Sequence, residues 1–187
     1  MIRRAAASAT LAACASLATT ALADPQWDVG LTSGVAGRGR PGSFWSDTAY
    51  YGSIRGDLIF GRSSEHDVGV GPALEIATTD FDDLRLLGGA TAVLPLGDLF
   101  AVSATPSAYV RAHDDTTSAG VSGRLFLGFK SYNYESAYAM GAGLLLGFDQ
   151  DLGGSKEHAA VVAVQLDALI VALPFALVYQ LIRGPTH

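Results

Sequence analysis

The sequence predicts an all-β fold: an eight-stranded antiparallel up-and-down transmembrane barrel with a short C-terminal apolar helix. Three observations predict it. Segments of about ten residues alternate apolar residues with small or polar ones at period two, the period of a strand with unlike faces. The separators between them are short and rich in turn formers. On the apolar faces, Trp27, Tyr50, Phe60, Phe100, Phe129, Tyr138 and Phe148 lie near segment ends, while Leu, Val, Ile and Ala fill the middles. Aromatic girdles around an aliphatic band have this layout. The chain of 187 residues suits one domain. Its charged fraction of 16% is low beside the roughly 25% usual for a soluble domain. Its acidic balance disfavours nucleic acid as a partner.

The first 23 residues read as a secretory signal peptide. Arg3 and Arg4 open a run rich in Ala, Thr and Ser, and Ala21-Leu22-Ala23 offers a small-x-small cleavage site. A second reading lies inside it: Leu11-Ala12-Ala13-Cys14 resembles a lipobox, with Cys14 as the lipidation site. Cleavage after Ala23 removes the chain's one cysteine, and with it any thiolate metal site or disulfide. Residues 24–172 are then expected to form the barrel, and 173–187 an apolar tail.

The segments follow in order. Trp27, Val29 and Leu31 alternate with Asp28, Gly30 and Thr32. Tyr50, Ile54, Leu58 and Phe60 alternate with Tyr51, Ser53, Arg55 and Asp57. Val68, Val70, Leu74 and Ile76 alternate with Asp67, Gly69, Gly71 and Glu75. Leu84, Leu86, Ala90, Ala92 and Leu94 alternate with Asp83, Arg85, Gly89 and Thr91. Phe100, Val102, Ala104, Ala108 and Val110 alternate with Ser103, Thr105, Ser107, Tyr109 and Arg111. Between Ala119 and Lys130, Ser122, Arg124, Gly128 and Lys130 share one parity, with Phe126 as the exception. From Tyr138 to Phe148 the even positions are large and the odd ones mostly Ala and Gly. Val162, Val164 and Leu166 alternate with Ala163, Gln165 and Asp167. The separators are "RGRPGSFWSD", "SSEH", "TTDFDD", "LGD", "HDDTTS", "SYNYES" and "DQDLGGSKE".

The polar face carries few charges among many small residues, which suits a narrow lumen rather than a solvated surface. Arg55, Asp57, Glu75, Arg85, Arg111, Arg124 and Asp167 are expected inside the barrel as a linked charge network, because unpaired charges there would be costly. Glu75 and Arg85 are expected to pair. A barrel of eight strands is filled by its own side chains. The network is read as a plug that fixes register; the alternative is a narrow gated pore. Counting from a periplasmic N terminus puts "SSEH", "LGD" and "SYNYES" in the periplasm. The other four turns face the exterior, and their shortness disfavours a large adhesin or receptor surface.

After Asp167 comes "ALIVALPFALVYQLIRGPTH". Strand eight is expected to end near Leu169 to Ala172. A short helix should follow at the periplasmic interface, with Pro174 in an early turn, Gly184-Pro185 as its stop and Arg183 snorkelling. Continuation of the strand is the alternative. The mature chain, with its eight alternating segments, resembles the small OmpA/OmpX-type eight-stranded outer-membrane barrels, and on "GRLFLGFKSYNY" and "ALPFALVYQLIRGP" it also resembles outer-membrane barrel proteins of glycine- and alanine-rich, high-GC bacteria. The resemblance implies the outer membrane, assembly by the barrel-assembly machinery and a monomer in lipid. The chain departs from the pattern at its end, where no Phe or Trp closes a last strand.

The expected role is structural or envelope-related, with no catalytic residues, cofactor or metal. Three alternatives are a narrow pore, a lipid-modifying enzyme and a soluble periplasmic lipid-binding barrel. An enzyme would need a nucleophile, a base and an orienting acid. Of His66, His113, His158 and His187, His113 and His158 lie near the exterior rim close to Asp114, Asp115, Ser118 and Glu157, and His158 and Ser118 could approach each other. "TTDFDD" and "DQDLGGSKE" offer oxygen ligands without calcium-loop spacing. The "RGD" at Arg55 to Asp57 lies inside a strand and is not an adhesion motif. Arg38 and Arg40, beside Trp45, are candidate contacts to lipopolysaccharide phosphate.

Overall fold

The computed structural model describes residues 25–40, 42–114, 116–131, 138–153 and 156–183. The leader reading, its alternative at Cys14, His187 and Gly184-Pro185 lie outside the described residues. Eight strands follow in chain order: β1 (Gln26–Arg40), β2 (Ser43–Ile59), β3 (Gly69–Thr79), β4 (Asp83–Leu96), β5 (Phe100–His113), β6 (Thr116–Lys130), β7 (Gly141–Asp151) and β8 (His158–Asp167). Each pairs antiparallel with its neighbours in sequence. β1 also pairs with β8, from Gly30↔Asp167 to Gly39↔His158, so the sheet closes into a barrel with no free edge. A helix, α1 (Ala168–Arg183), continues from β8.

Period two decides the faces. In β8, Ala159, Val161, Ala163, Gln165 and Asp167 are buried, while Val162, Val164 and Leu166 are exposed. Around the barrel, Ile54, Leu74, Ile76, Leu84, Leu86, Leu127, Leu144 and Leu146 point outward. Inward go small residues, a few large apolar ones and most of the charge. The barrel is therefore inverted relative to a water-soluble one.

Rings mark both ends of the exterior. At the base, where β1 begins and β8 ends, Trp27 and Tyr138 meet edge-to-face at 4.6 Å. At the opposite end, the mouth, Tyr50 stacks on Phe81 at 5.2 Å, and His158 stacks between Phe44 and Phe148.

The mouth hairpins are tighter than the sequence suggests. "RGRPGSFWSD" and "HDDTTS" read as loops, yet β1 and β2 run to Arg40 and from Ser43, and β5 and β6 run to His113 and from Thr116. Polar composition pointed to turns, but cross-strand pairs such as Arg38↔Asp47 and Arg111↔Ser118 continue the ladders outward. Gly42, at φ 97, supplies a left-handed position in the first hairpin. In β4–β5 the ladder is interrupted between Gly89↔Ser107 and Ala92↔Ala104. Pro106 lies in that gap and has no N–H to give.

The end of β8 also differs. The strand stops at Asp167, before the expected Leu169–Ala172, because Asp167 caps α1. Its carboxylate accepts the Leu169 backbone N–H at 2.7 Å, the bond an N-cap makes to the second helical residue. The Tyr138 hydroxyl donates to the same carboxylate at 2.6 and 2.7 Å. Pro174 falls in the second turn, and α1 continues past it to Arg183.

Candidate functional site in the lumen and mouth

The lumen holds two charged clusters. Near the base, Lys130 from β6 pairs with Asp28 from β1 and lies 3.8 Å from Asp57 of β2. Asp57 takes the Arg55 guanidinium at 2.8 Å. Arg55 Nη2, which also donates to Asp57, donates to Thr91 and Thr105, and the Thr105 hydroxyl donates to Thr91 at 3.0 Å. Five strands thus meet at one guanidinium–carboxylate–ammonium group, with side chains almost fully removed from water.

The second cluster is a chain of alternating charge that climbs to the mouth. Tyr51 hydrogen-bonds Glu75, whose carboxylate lies 3.7 Å from Arg124. Arg124 donates to Tyr51 at 3.1 Å and binds Asp149 at 2.5 Å. Asp149 also takes Arg85 at 2.8 Å. Asp83 holds Arg85 and Arg111, each at 2.8 Å. Arg111 then reaches Glu157 at 3.0 Å, and Glu157 reaches Arg40 at 3.3 Å. Within the two clusters each carboxylate thus has a cation, and Asp83, Asp149 and Glu157 are each shared between two arginines, as low-dielectric surroundings favour.

Small residues give these side chains room. A Cβ at Gly147 would come within 2.8 Å of Arg124 Nη1, and one at Gly120 would collide with the Tyr109 ring. Among the charges sits an apolar cluster of Ala36, Tyr51, Ala77, Leu87, Tyr109, Phe126, Leu145, Val161 and Ala163. Phe126, the exception to the alternation of its segment, belongs to this plug.

Above the plug opens a mouth cavity of about 840 Å³, walled by Arg38, Arg40, Arg111, His113, Thr116 and Glu157 with other polar residues. Beneath it a further cavity has about 10 Å³, roughly room for one water. The Glu157 carboxyl is pushed up by partial burial. The Arg111 and Arg40 guanidinium groups pull harder and hold it below the usual carboxylate range. At the base, burial and then the adjoining Asp167 carboxylate push the Tyr138 hydroxyl above its ordinary range.

The structure brings Arg55 and Asp57 together in one cluster, and Glu75, Arg85, Arg111 and Arg124 in the other. It does not pair Glu75 with Arg85. Glu75 registers with Leu87 and Arg85 with Ala77, so the two lie diagonally, and Asp83, two residues along β4, captures Arg85 instead. Asp167 is buried, but it serves α1 and Tyr138 rather than an arginine. Arg38 and Arg40 lie in the mouth wall. Arg38 is clasped by Asp47 and Asp80 at 3.0 Å each, and Arg40 remains 77% exposed beside Glu157.

Lys130, Asp28, Asp83, Asp149 and Tyr51 were missed as network members, although each shares the parity of the polar face. That parity was the available signal. The histidines find other partners: His158 Nε2 lies 3.2 Å from the Phe44 carbonyl, while Ser118 donates to Asp151 at 2.9 Å. His158 and Ser118 do not form a nucleophile–base pair. Among the described residues, no three His, Cys, Asp or Glu side chains gather as a metal site.

No known protein family matches the chain, and no curated protein matches it. Among solved structures, it is similar to the outer membrane protein Ail of Yersinia pestis, at 8% identity and a TM-score of 0.41, over 76% of this chain and 99% of that one. The barrel assignment rests on the chain's own eight ladders.

Proposed function

We propose that this chain is an integral outer-membrane barrel whose lumen is plugged by its own side chains, with a structural or envelope role. One observation carries the reading: the exterior is an aliphatic band between rings, while the interior holds ion pairs that water does not reach. Such an exterior is stable in lipid, and each wall must then satisfy its backbone internally, as a closed barrel does. Closure leaves no strand edge for pairing with another copy, which supports a monomer with lipid as its partner. Delivery by the barrel-assembly machinery belongs to the same reading. An enzymatic role finds no support in the placement of Ser118 and His158.

The first test is fractionation, with unheated and boiled samples compared on a detergent gel. A detergent-requiring band whose mobility changes on boiling is expected. Recovery in the soluble periplasmic fraction without a shift would overturn the reading. The narrow pore is tested by single-channel recording in planar bilayers. The packed layer beneath the mouth supports silence. Lipopolysaccharide contact is assigned to the mouth arginines, above all Arg40, whose exposed guanidinium retains donors for phosphate. Replacing Arg38 and Arg40 with alanine should alter antibiotic permeability or extraction; no change in either would count against that contact.

A further inference from the structure

We infer that α1 is immersed in the hydrocarbon of the base-side leaflet, not laid along its surface. The inference rests on the membrane reading above and adds a lipid-binding element to it. An interfacial helix needs one charged face and one apolar face. From Ala168 to Val178, α1 has no polar side chain on any face. Leu169, Leu173, Phe175, Leu177, Val178 and Ile182 are all exposed. A helix apolar all round belongs inside a protein core or a membrane; α1 meets the barrel at β8 and β1, and every side chain described beyond its first turn is exposed.

Three further observations choose lipid as the occupant. First, α1 springs from the level of the Trp27–Tyr138 ring pair, with Asp167 and Tyr138 holding its first turn, so it begins where the apolar belt ends. Second, its polar groups return only at the far end, where the Arg183 guanidinium lies 4.8 Å over the Tyr179 ring. The first turn thus suits headgroup level, and Arg183 can snorkel back to that level from a helix immersed below it. Third, at 16 residues it is about 24 Å long, short of the roughly 30 Å hydrocarbon core, and it can lie within one leaflet. Ala168, Ala172 and Ala176 form a narrow small-residue stripe where a second copy could pack. Most of the circumference is large and apolar and would still need lipid.

The test places a polarity-sensitive fluorophore at single cysteines in the full mature chain, folded in phosphatidylcholine vesicles. Leu144→Cys on the barrel belt is the control, Ala176→Cys and Leu177→Cys report α1, and Arg183→Cys reports its end. The probes at 176 and 177 should emit as far to the blue as the control and be quenched by lipid-borne nitroxides as it is, while aqueous iodide reaches only the probe at 183. Iodide quenching at 176 and 177, with a normal control, would overturn the inference and leave the barrel in place. Blue-shifted emission that neither quencher reaches would also overturn it, by showing α1 covered by protein. Iodide quenching at 144 as well would instead sink the membrane reading itself.

Discussion

The lumen and the mouth are built from the same arginine–carboxylate pairs, yet they differ in what those pairs are worth. Arg55–Asp57 and Arg124–Asp149 have side chains at most 3% exposed. Arg40–Glu157 and Arg38–Asp47 stand partly in water. A dry pair is weak evidence of net stabilisation, because desolvation offsets attraction. Removing one partner, however, strands a charge where water cannot reach it. A wet pair loses little when broken. The difference teaches that one network can be rigid at its root and adjustable at its rim.

The largest break should come from Asp149→Ala, which strips the carboxylate shared by Arg85 and Arg124. A loss of about 3–5 kcal/mol is expected, read as a lower urea midpoint for the heat-modifiable band. Replacing Arg55 and Asp57 together with apolar residues of like volume should cost far less than either single change, since no charge is left unpaired.

A second test attacks the contrast between inside and outside. Leu146 faces outward at mid-strand, between Leu125 and Val162. Leu146→Arg should destabilise the barrel in lipid by about 2–4 kcal/mol. Little effect on bilayer folding would mean that this face does not meet hydrocarbon. Smaller still, Asp167→Ala removes the cap of α1 and the Tyr138 acceptor. A cost of about 1 kcal/mol is expected, seen as reduced protection of the first α1 amides in hydrogen exchange.

The smallest effects belong to the rim. Arg40→Ala should change stability by less than about 1 kcal/mol. Glu157, held low by its arginines, contributes its pairing fully above the ordinary glutamate range. It loses that contribution as pH falls through its lowered folded value. Acidification should therefore loosen the Arg111–Glu157–Arg40 latch before the dry clusters respond. Amide exchange at 156–158 across a pH series checks the order; loosening at higher rather than lower pH would contradict the sign.

Much of the site was legible because strand parity is a one-dimensional rule. Asp57, Glu75, Arg85, Arg111 and Arg124 could be placed inside by counting in twos. Lys130 obeyed the same count, and Asp149 did too but lay where turn-rich sequence obscured the end of its segment. Partners were not legible. Glu75 and Arg85 looked adjacent at one end of neighbouring strands, yet register put them on a diagonal and Asp83 intervened. The start of α1 was missed by a few residues for a similar reason. Asp167 has lumen parity, and only the approach of Tyr138 and the Leu169 amide reveals it as a cap.

The amino-acid sequence by itself determined the period, the number of strands, which face is apolar and which charges go inside, because each follows from local alternation and turn chemistry. Tertiary structure alone decided who pairs with whom across the lumen. It also decided how far the mouth hairpins extend, where β8 yields to α1 and how tightly the plug closes. Those depend on ladder register and on side chains from up to five strands converging in a buried space, and no stretch of sequence contains that convergence.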